Sequence, residues 1–362
     1  MFVMLRLQLI QEMIIIILNN YTNSAKIHDL DPYHTHVNST NPLKSYYHYT
    51  PKSTLYPPAI INYNNKVTQT LTKIKRRHDA TVTTLARGVQ NWKLNYRDQL
   101  HSHSTSSLSS FPLNQFLDRF YMSRIGIRML IGQTIALNVQ HKGNITNPDY
   151  VGVIALRANV MEIAQDAISA ARFACEEHYG IMDAPEVELY CPKDLQFMYV
   201  PGHLVHMLFE TLKNSLRATV EFHSRHLKEG QSLEDVEFPS VKVIVAEGEE
   251  DITVKVSDEG GGIPRSAVPL VWTYFYTTAD ETRSAAANAG VGSGVSGGFG
   301  GLHDANGGNF KPPFMGLGVG LPHSRLYARY FGGDLKLISM EGYGTDVYLH
   351  LNRLSGSSEP LQ

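Results

Sequence analysis

The stretch that decides the fold of the C-terminal half reads Ile252-Thr253-Val254-Lys255-Val256-Ser257-Asp258-Glu259-Gly260-Gly261-Gly262-Ile263. Its first six residues are rich in β-branched side chains and predict a strand. The strand ends at Asp258, and the glycines after it allow the backbone to approach a ligand closely. A carboxylate at this place can accept a hydrogen bond from an exocyclic amine, such as the one that adenine carries. A glycine-rich surface turn explains the segment equally well if it stands alone.

A helix with one polar side is predicted before this strand, at residues 204–220. At about 100° per residue, its polar side chains fall within about 80° of one another, and the apolar ones gather on the opposite side. Carboxylate and amide oxygens are ligands for Mg²⁺, and a guanidinium binds anions. An ordinary solvated face is the alternative for this helix taken alone. The polar side chains are His206, Glu210, Asn214 and Arg217.

Two further glycine motifs follow the strand. Gly316-Leu317-Gly318-Val319-Gly320-Leu321 stands directly before a helical pattern, where free backbone N–H groups can bind phosphate oxygens. Glu341-Gly342-Tyr343-Gly344-Thr345 lies between two predicted strands and by itself indicates a hairpin turn.

The composition excludes several classes of protein. The 362 residues carry 32 basic and 34 acidic side chains, a net charge of −2, so no nucleic acid is expected as a partner. Only Cys175 and Cys191 are present, too few for a disulfide framework or a zinc site. The 29 glycines are uneven, with nine of them between Gly290 and Gly308. A long segment of this kind is typical of a lid or a binding loop.

The remaining patterns divide the chain. One long amphipathic helix is predicted at 67–92, a second through 116–131 and a third at 159–179. Strands are predicted at 187–190, 241–246, 252–257, 335–339 and 345–351. Polar residues interrupt the apolar N-terminal 18 residues, so no clear membrane span is expected. We therefore expect a leader and irregular segment with a targeting role (1–58), a helical bundle (59–182), a mixed α/β domain (183–354) with a lid (279–315), and a tail (355–362).

The order of the motifs is more specific than any one of them. A helix with Glu and Asn, then DxGxG, GxGxG and GxGT, resembles the GHKL (Bergerat-type) ATP-binding fold of histidine kinases, heat-shock chaperones, mismatch-repair ATPases and type II topoisomerases. The resemblance implies an α+β protein in which a helical bundle precedes an α/β sandwich. Across residues 114–353 it narrows to the mitochondrial kinases of pyruvate dehydrogenase and its branched-chain relative. The segments that carry it are Phe116-Leu117-Asp118-Arg119-Phe120-Tyr121, Ser123-Arg124-Ile125-Gly126-Ile127-Arg128, Leu212-Lys213-Asn214-Ser215-Leu216-Arg217-Ala218, 257–263, Gly320-Leu321-Pro322 and Ser324-Arg325-Leu326-Tyr327-Ala328.

The resemblance also implies a role for each site residue. Glu210 would accept the proton of a substrate serine, His206 would tune it, and Asn214 would hold Mg²⁺. Asp258 would read the adenine amine. The nucleotide would be bound by these two and by Arg217, Gly260, Gly262, Thr277, Thr278, Gly316, Leu317, Gly318, Val319, Gly320, Leu321 and Thr345.

The implied protein is a mitochondrial-matrix serine kinase that uses ATP and Mg²⁺, with K⁺ as a further candidate, to phosphorylate and inactivate the E1α subunit of pyruvate dehydrogenase. Its implied partners are E1, the lipoyl domain of E2 and a second copy of the chain. A branched-chain 2-oxoacid dehydrogenase kinase is one alternative. A second is a nucleotide-binding pseudokinase, because helical sequence that relatives carry is missing between residues 55 and 60. A third is a histidine kinase that uses His78, which we instead expect to pack on the apolar side of its helix.

Overall fold

The computed structural model describes residues 58–95, 110–143, 149–226, 232–276 and 318–353. Most of the predicted leader (1–58), the lid (279–315) and the tail (355–362) lie outside these residues. The chain divides into two compact units, residues 1–70 with 358–362, and residues 71–357. In the first unit, the described part is the beginning of a helix.

The described helices and strands alternate along the chain. The α-helices are α1 (Pro58–Arg77), α2 (Thr81–Asn95), α3 (Ser110–Gly143), α4 (Val160–Tyr179), α5 (Pro201–His223) and α6 (Gly320–Tyr330). The strands are β1 (Tyr150–Val151), β2 (Ile154–Asn159), β3 (Val187–Tyr190), β4 (Gln196–Tyr199), β5 (Val241–Glu247), β6 (Asp251–Asp258), β7 (Asp334–Met340) and β8 (Gly344–Asn352).

A five-stranded mixed sheet contains every strand that the sequence predicts. Its order is β3-β5-β6-β8-β7, with β3 and β5 parallel and the other pairs antiparallel. Burial alternates along β5, β6 and β8, because one face of the sheet is covered and the other is open. The short strands β1, β2 and β4 form a second sheet that the sequence analysis missed.

The helices α4, α5 and α6 supply the cover. Helix α5 packs on α4, on β6 and on α6. Asn159 caps α4, since its side chain accepts from the backbone N–H groups of Met161 and Glu162, and Gly180 ends it in the left-handed conformation at φ 67°. The result is a layer of helices on a mixed sheet, which confirms the predicted α+β class. The domain division at residue 182 stays a prediction, and α4, which it assigns to the bundle, packs on α5.

The single long helix predicted at 67–92 is wrong, because a turn at residues 78–80 separates α1 from α2. The carbonyl oxygen of His78 accepts from Arg124 Nη2 at 2.9 Å and from Thr81 Oγ1 at 2.8 Å. Asp79 forms a 2.7 Å ion pair with Arg128 of α3. These polar contacts end α1 at Arg77, although the apolar pattern of the sequence continues beyond it. The expected packing of His78 is also wrong, since its side chain is exposed.

The apolar pattern found the position of α3 but not its buried face. Phe116, Ile127 and Leu130 were part of the pattern and are 57%, 58% and 43% exposed. The buried side chains lie one position further on, at four-residue spacing: Leu117, Tyr121, Ile125 and Met129. Because α3 is apolar on several sides, periodicity alone cannot choose the face that packs.

Candidate active site

A cavity of about 600 Å³ lies between α5, the glycine turn after β6, the turn from β7 to β8 and the start of α6. The structure brings most of the predicted site residues to its wall: Glu210, Asn214, Arg217, Asp258, Gly260, Gly262, Gly318, Gly320, Leu321 and Thr345. Val319 is the residue that precedes α6, and His206 lies one helical turn before Glu210. Thr277, Thr278, Gly316 and Leu317 lie outside the described residues.

Asp258 is a buried polar group in the wall of the cavity, where it is 5% exposed. Its Oδ1 accepts from the backbone N–H of Gly260 at 3.0 Å and of Thr345 at 3.2 Å. Burial raises the pKa of its carboxyl, and these bonds, with one from the Ser215 hydroxyl, oppose that effect. The carboxylate is therefore fixed in place and can accept a further hydrogen bond from a ligand.

The three glycines after Asp258 are needed for packing as well as for access. A Cβ at position 260 would overlap Ala218 of α5, and one at position 262 would overlap the carbonyl of Met340. Gly261 and Gly262 have φ angles of 78° and 66°, which favour glycine. The turn fits tightly between α5 and the β7–β8 hairpin, so a surface-turn interpretation does not apply.

The glycines around the start of α6 bring backbone to two different neighbours. Gly318, at φ 69°, accepts at its carbonyl oxygen from the N–H of Phe275 at 2.8 Å. Phe275 itself has φ 66°, a strained value for a residue with a side chain. A Cβ at Gly320 would overlap Oε2 of Glu210. The N-terminus of α6 therefore opens on the cavity beside Glu210, where its N–H groups can bind an anion.

Glu210 is buried and paired. Lys213 Nζ lies 2.8 Å from Oε1 and 2.8 Å from Oε2 of this carboxylate. Lys213 was not among the predicted site residues, although the same helical projection places it about 20° from His206, on the polar side. The polar side of α5 is thus not a solvated face.

His206 belongs to a cluster of aromatic rings between α5 and α6. Its ring centroid lies 5.6 Å from that of His323 and 5.0 Å from that of Tyr327. Burial lowers the pKa of His323 well below 6.5, and the neighbouring His206 adds to this effect. His323 is a further residue that motif reasoning did not identify.

Asn214 and Arg217 are the groups suited to Mg²⁺ and phosphate. Both line the cavity, and Arg217 Nε lies 3.4 Å from Glu221 Oε1. Within the described residues there is no group of three or more His, Cys, Asp or Glu side chains that could hold a metal. Mg²⁺ in nucleotide sites typically takes one or two protein ligands and completes its shell with phosphates and water, so the single amide oxygen of Asn214 fits this ion.

Comparison with known proteins agrees with this geometry. A family model described as mitochondrial branched-chain alpha-ketoacid dehydrogenase kinase matches residues 9–155. A second, described as histidine kinase-, DNA gyrase B-, and HSP90-like ATPase, matches residues 199–355, which contain the whole cavity wall.

Several relatives are named as mitochondrial [pyruvate dehydrogenase (acetyl-transferring)] kinases. The chain is 46% identical to that of Schizosaccharomyces pombe over 310 residues, which cover 85% of this chain and 64% of the relative. It is 43% identical to that of Arabidopsis thaliana, covering 81% of this chain and 70% of the relative. Isozyme 3 of Homo sapiens is 38% identical, with 80% and 63% covered. The chain thus spans less than two thirds of the length of the first and third of these relatives. On this evidence the chain belongs to the mitochondrial pyruvate dehydrogenase kinase family, within the GHKL superfamily of ATP-binding proteins.

Proposed function

We propose that the chain is an ATP- and Mg²⁺-dependent protein-serine kinase that phosphorylates and inactivates the E1α subunit of pyruvate dehydrogenase. The observation that carries the proposal is the buried Glu210 carboxylate in the wall of the nucleotide cavity, one turn before Asn214 and against the N-terminus of α6. The names of the relatives supply the substrate class.

The division of labour follows from what phosphoryl transfer requires. Positioning and electrostatic stabilisation supply most of its catalysis. Asp258 and Thr345 bind the adenine end of ATP, the N–H groups at Gly318 and Gly320 bind phosphate oxygens, and Arg217 adds a positive charge. Asn214 holds Mg²⁺, which neutralises charge on the phosphates. Glu210 accepts the proton of the serine hydroxyl as its oxygen attacks the γ-phosphorus.

The test is transfer of labelled phosphate from ATP to purified E1. We expect Glu210→Gln to abolish transfer while ATP binding stays within about twofold, because an interaction made only in the transition state is lost. Glu177→Gln is the matched control, since Glu177 is exposed on α4, away from the cavity. If Glu210→Gln still transfers phosphate at the wild-type rate, the assignment of the base is wrong.

A second candidate substrate is the E1 of the branched-chain 2-oxoacid dehydrogenase, because the family model over residues 9–155 carries that name. Running both E1 proteins side by side decides between them. Bound nucleotide without phosphorylation of either E1 would support a pseudokinase instead. Acid-labile phosphate on His78, which is exposed in the turn between α1 and α2, would support a histidine kinase.

The proposal extends to the setting of the enzyme. We place it in the mitochondrial matrix, docked on the lipoyl domain of E2, with K⁺ as an additional ion at the nucleotide site. A homodimer is supported by the open face of the five-stranded sheet, where Ile338 and Met340 are 63% and 68% exposed. Adding a lipoyl domain to the E1 assay and measuring the mass of the chain in solution test the two partners. None of the helices in the described ranges is long and apolar enough to cross a membrane.

A further inference from the structure

Lys213 and Glu210 form an ion pair inside the protein. The side chain of Lys213 is 3% exposed and that of Glu210 is 7% exposed. The ammonium also lies 5.6 Å from the centroid of the Phe209 ring. Burying an ammonium costs several kcal/mol unless an opposite charge accompanies it. Two apolar side chains could fill the same space without this cost, so stability alone does not explain the pair.

The location of Lys213 argues against a role in binding phosphate. The cavity wall contains its neighbours Glu210, Thr211 and Asn214. Lys213 is absent from that wall within the described residues, and its ammonium contacts both oxygens of the Glu210 carboxylate. The cations that do line the cavity are Arg217, one turn further along α5, and Arg225.

The contacts of Glu210 favour one orientation of its carboxylate. Both oxygens lie 2.8 Å from the ammonium of Lys213. On another side, Gly320 leaves free the space beside Oε2 that a Cβ would take. Rotation of the carboxylate would break its contacts with the ammonium.

We propose that Lys213 is a positioning residue, which holds the Glu210 carboxylate in the orientation from which it accepts the serine proton. The proposal rests on the proposed kinase function. In the step concerned, the serine oxygen forms a bond to the γ-phosphorus and the bond from that phosphorus to ADP breaks. The serine proton passes to the fixed carboxylate oxygen.

The first test separates catalysis from binding. We expect Lys213→Met to lower kcat for E1 by about 10- to 100-fold, less than the roughly 10²- to 10⁴-fold that a general base itself contributes, and to leave the Kd for ATP within about twofold. Lys213→Arg, which keeps a cation, recovers part of kcat. Lys193→Met, at an exposed site in the turn before β4, is the matched control and keeps wild-type kinetics. A loss of ATP affinity with kcat unchanged would make Lys213 a phosphate ligand and overturn the proposal.

A double-mutant cycle gives the second test. The wild type, the two single variants and the double variant are compared by urea unfolding, because Glu210→Gln is expected to abolish transfer and leaves no kcat to compare. If the two side chains are coupled, their losses in the free energy of unfolding are not additive, whereas independent side chains give additive losses. If the wild type phosphorylates neither E1, the proposed function fails. Additive losses overturn the positioning role, whichever E1 is the substrate.

Discussion

Asp258 is the residue on which the proposed recognition of the nucleotide depends most directly. It lies at the end of β6 opposite Thr345 of β8, and it accepts from the N–H groups of Gly260 and Thr345. These bonds leave its carboxylate one orientation toward the cavity. An amide in its place would offer an N–H₂ group where the adenine amine requires an acceptor.

We expect Asp258→Asn to weaken ATP binding by about 10- to 100-fold, because a hydrogen bond to a charged group contributes about 1.5–3 kcal/mol. Asp251→Asn, the same substitution at the other end of β6, keeps the wild-type affinity. Isothermal titration with ATP measures both. Equal affinities for the two variants would remove Asp258 from the adenine site.

The pH dependence of ATP binding is a second consequence of Asp258. Burial raises the pKa of its carboxyl above the usual 3.8. The protonated form no longer accepts from adenine, so we expect ATP affinity to fall on acidification at a higher pH than an ordinary aspartate would give. The apo protein gains stability from this group in the same range, because the folded state binds the proton more tightly than the unfolded chain. ATP titrations from pH 7 to pH 4 check the first effect. The difference between the wild type and Asp258→Asn in urea unfolding without nucleotide checks the second, because the contribution of the histidines is common to both proteins.

At the scale of elements, the sequence predicted the large sheet well and the helices less well. The strands β5, β6, β7 and β8 were predicted from short β-branched runs, which a half-covered sheet favours. The turn that ends α1 and the buried face of α3 depend on partners far along the chain, such as Arg128 and Asp79. Periodicity carries no information about such partners.

The candidate site shows the same limit. Its glycines and acidic groups were visible because motifs specify them, and most of the predicted set lines one cavity. Lys213 and His323 were missed because their importance comes from contact, with Glu210 in one case and His206 in the other. The projection of α5 could have found Lys213, whereas His323 lies on α6 and needs the packing of two helices.

The packing of α5 on α6 makes stability depend on pH. His203 of α5 and His323 of α6 both pack on Tyr327, with ring centroids 4.7 and 5.1 Å away. Burial lowers the pKa of His203 from 6.5 to about 3 and that of His323 in the same direction. Between the lowered pKa of each histidine in the folded state and its usual value of 6.5, the unfolded chain binds a proton at that residue and the folded chain does not. The stability from the two histidines is therefore complete above pH 6.5 and is lost as the pH falls.

We expect the free energy of unfolding to decrease on going from pH 7 to pH 5, with each histidine contributing up to about 1.4 kcal/mol per pH unit. His323→Leu removes one of the two titrating groups and should flatten this slope by about that amount below pH 6. Urea unfolding at several pH values measures it. Parallel slopes for wild type and variant would show that His323 binds its proton over the same pH range in the folded and the unfolded state.

At the scale of the whole molecule, α3 is connected to the place where the predicted lid begins. The hydroxyl of Tyr274 donates to Asp118 Oδ1 of α3 at 2.7 Å, and the N–H of Tyr274 donates to Asn114 Oδ1 at 3.3 Å. The next residue, Phe275, is bonded to Gly318 on the far side of the lid sequence. The ring of Tyr121 in α3 contacts both Tyr274 and His323, at 5.4 and 5.2 Å between centroids. A shift of α3 would therefore reach Phe275 and Gly318, which flank the lid in the sequence, and the start of α6.

This connection predicts that α3 and the nucleotide site are energetically coupled. Tyr274→Phe removes the hydroxyl that bonds Asp118, so we expect ATP affinity to fall by about 2- to 10-fold, a part of the 1.5–3 kcal/mol that a bond to a carboxylate can contribute. Asp118→Asn should have a similar effect, and the two together no more than the larger one, because both break the same bond. Tyr348→Phe, which removes a hydroxyl bonded to Asp346 away from the cavity, is the matched control. ATP titration of the four variants and the wild type measures the coupling. Additive losses of ATP affinity, or no loss in any variant, would mean that nucleotide binding does not depend on the contact between Tyr274 and α3.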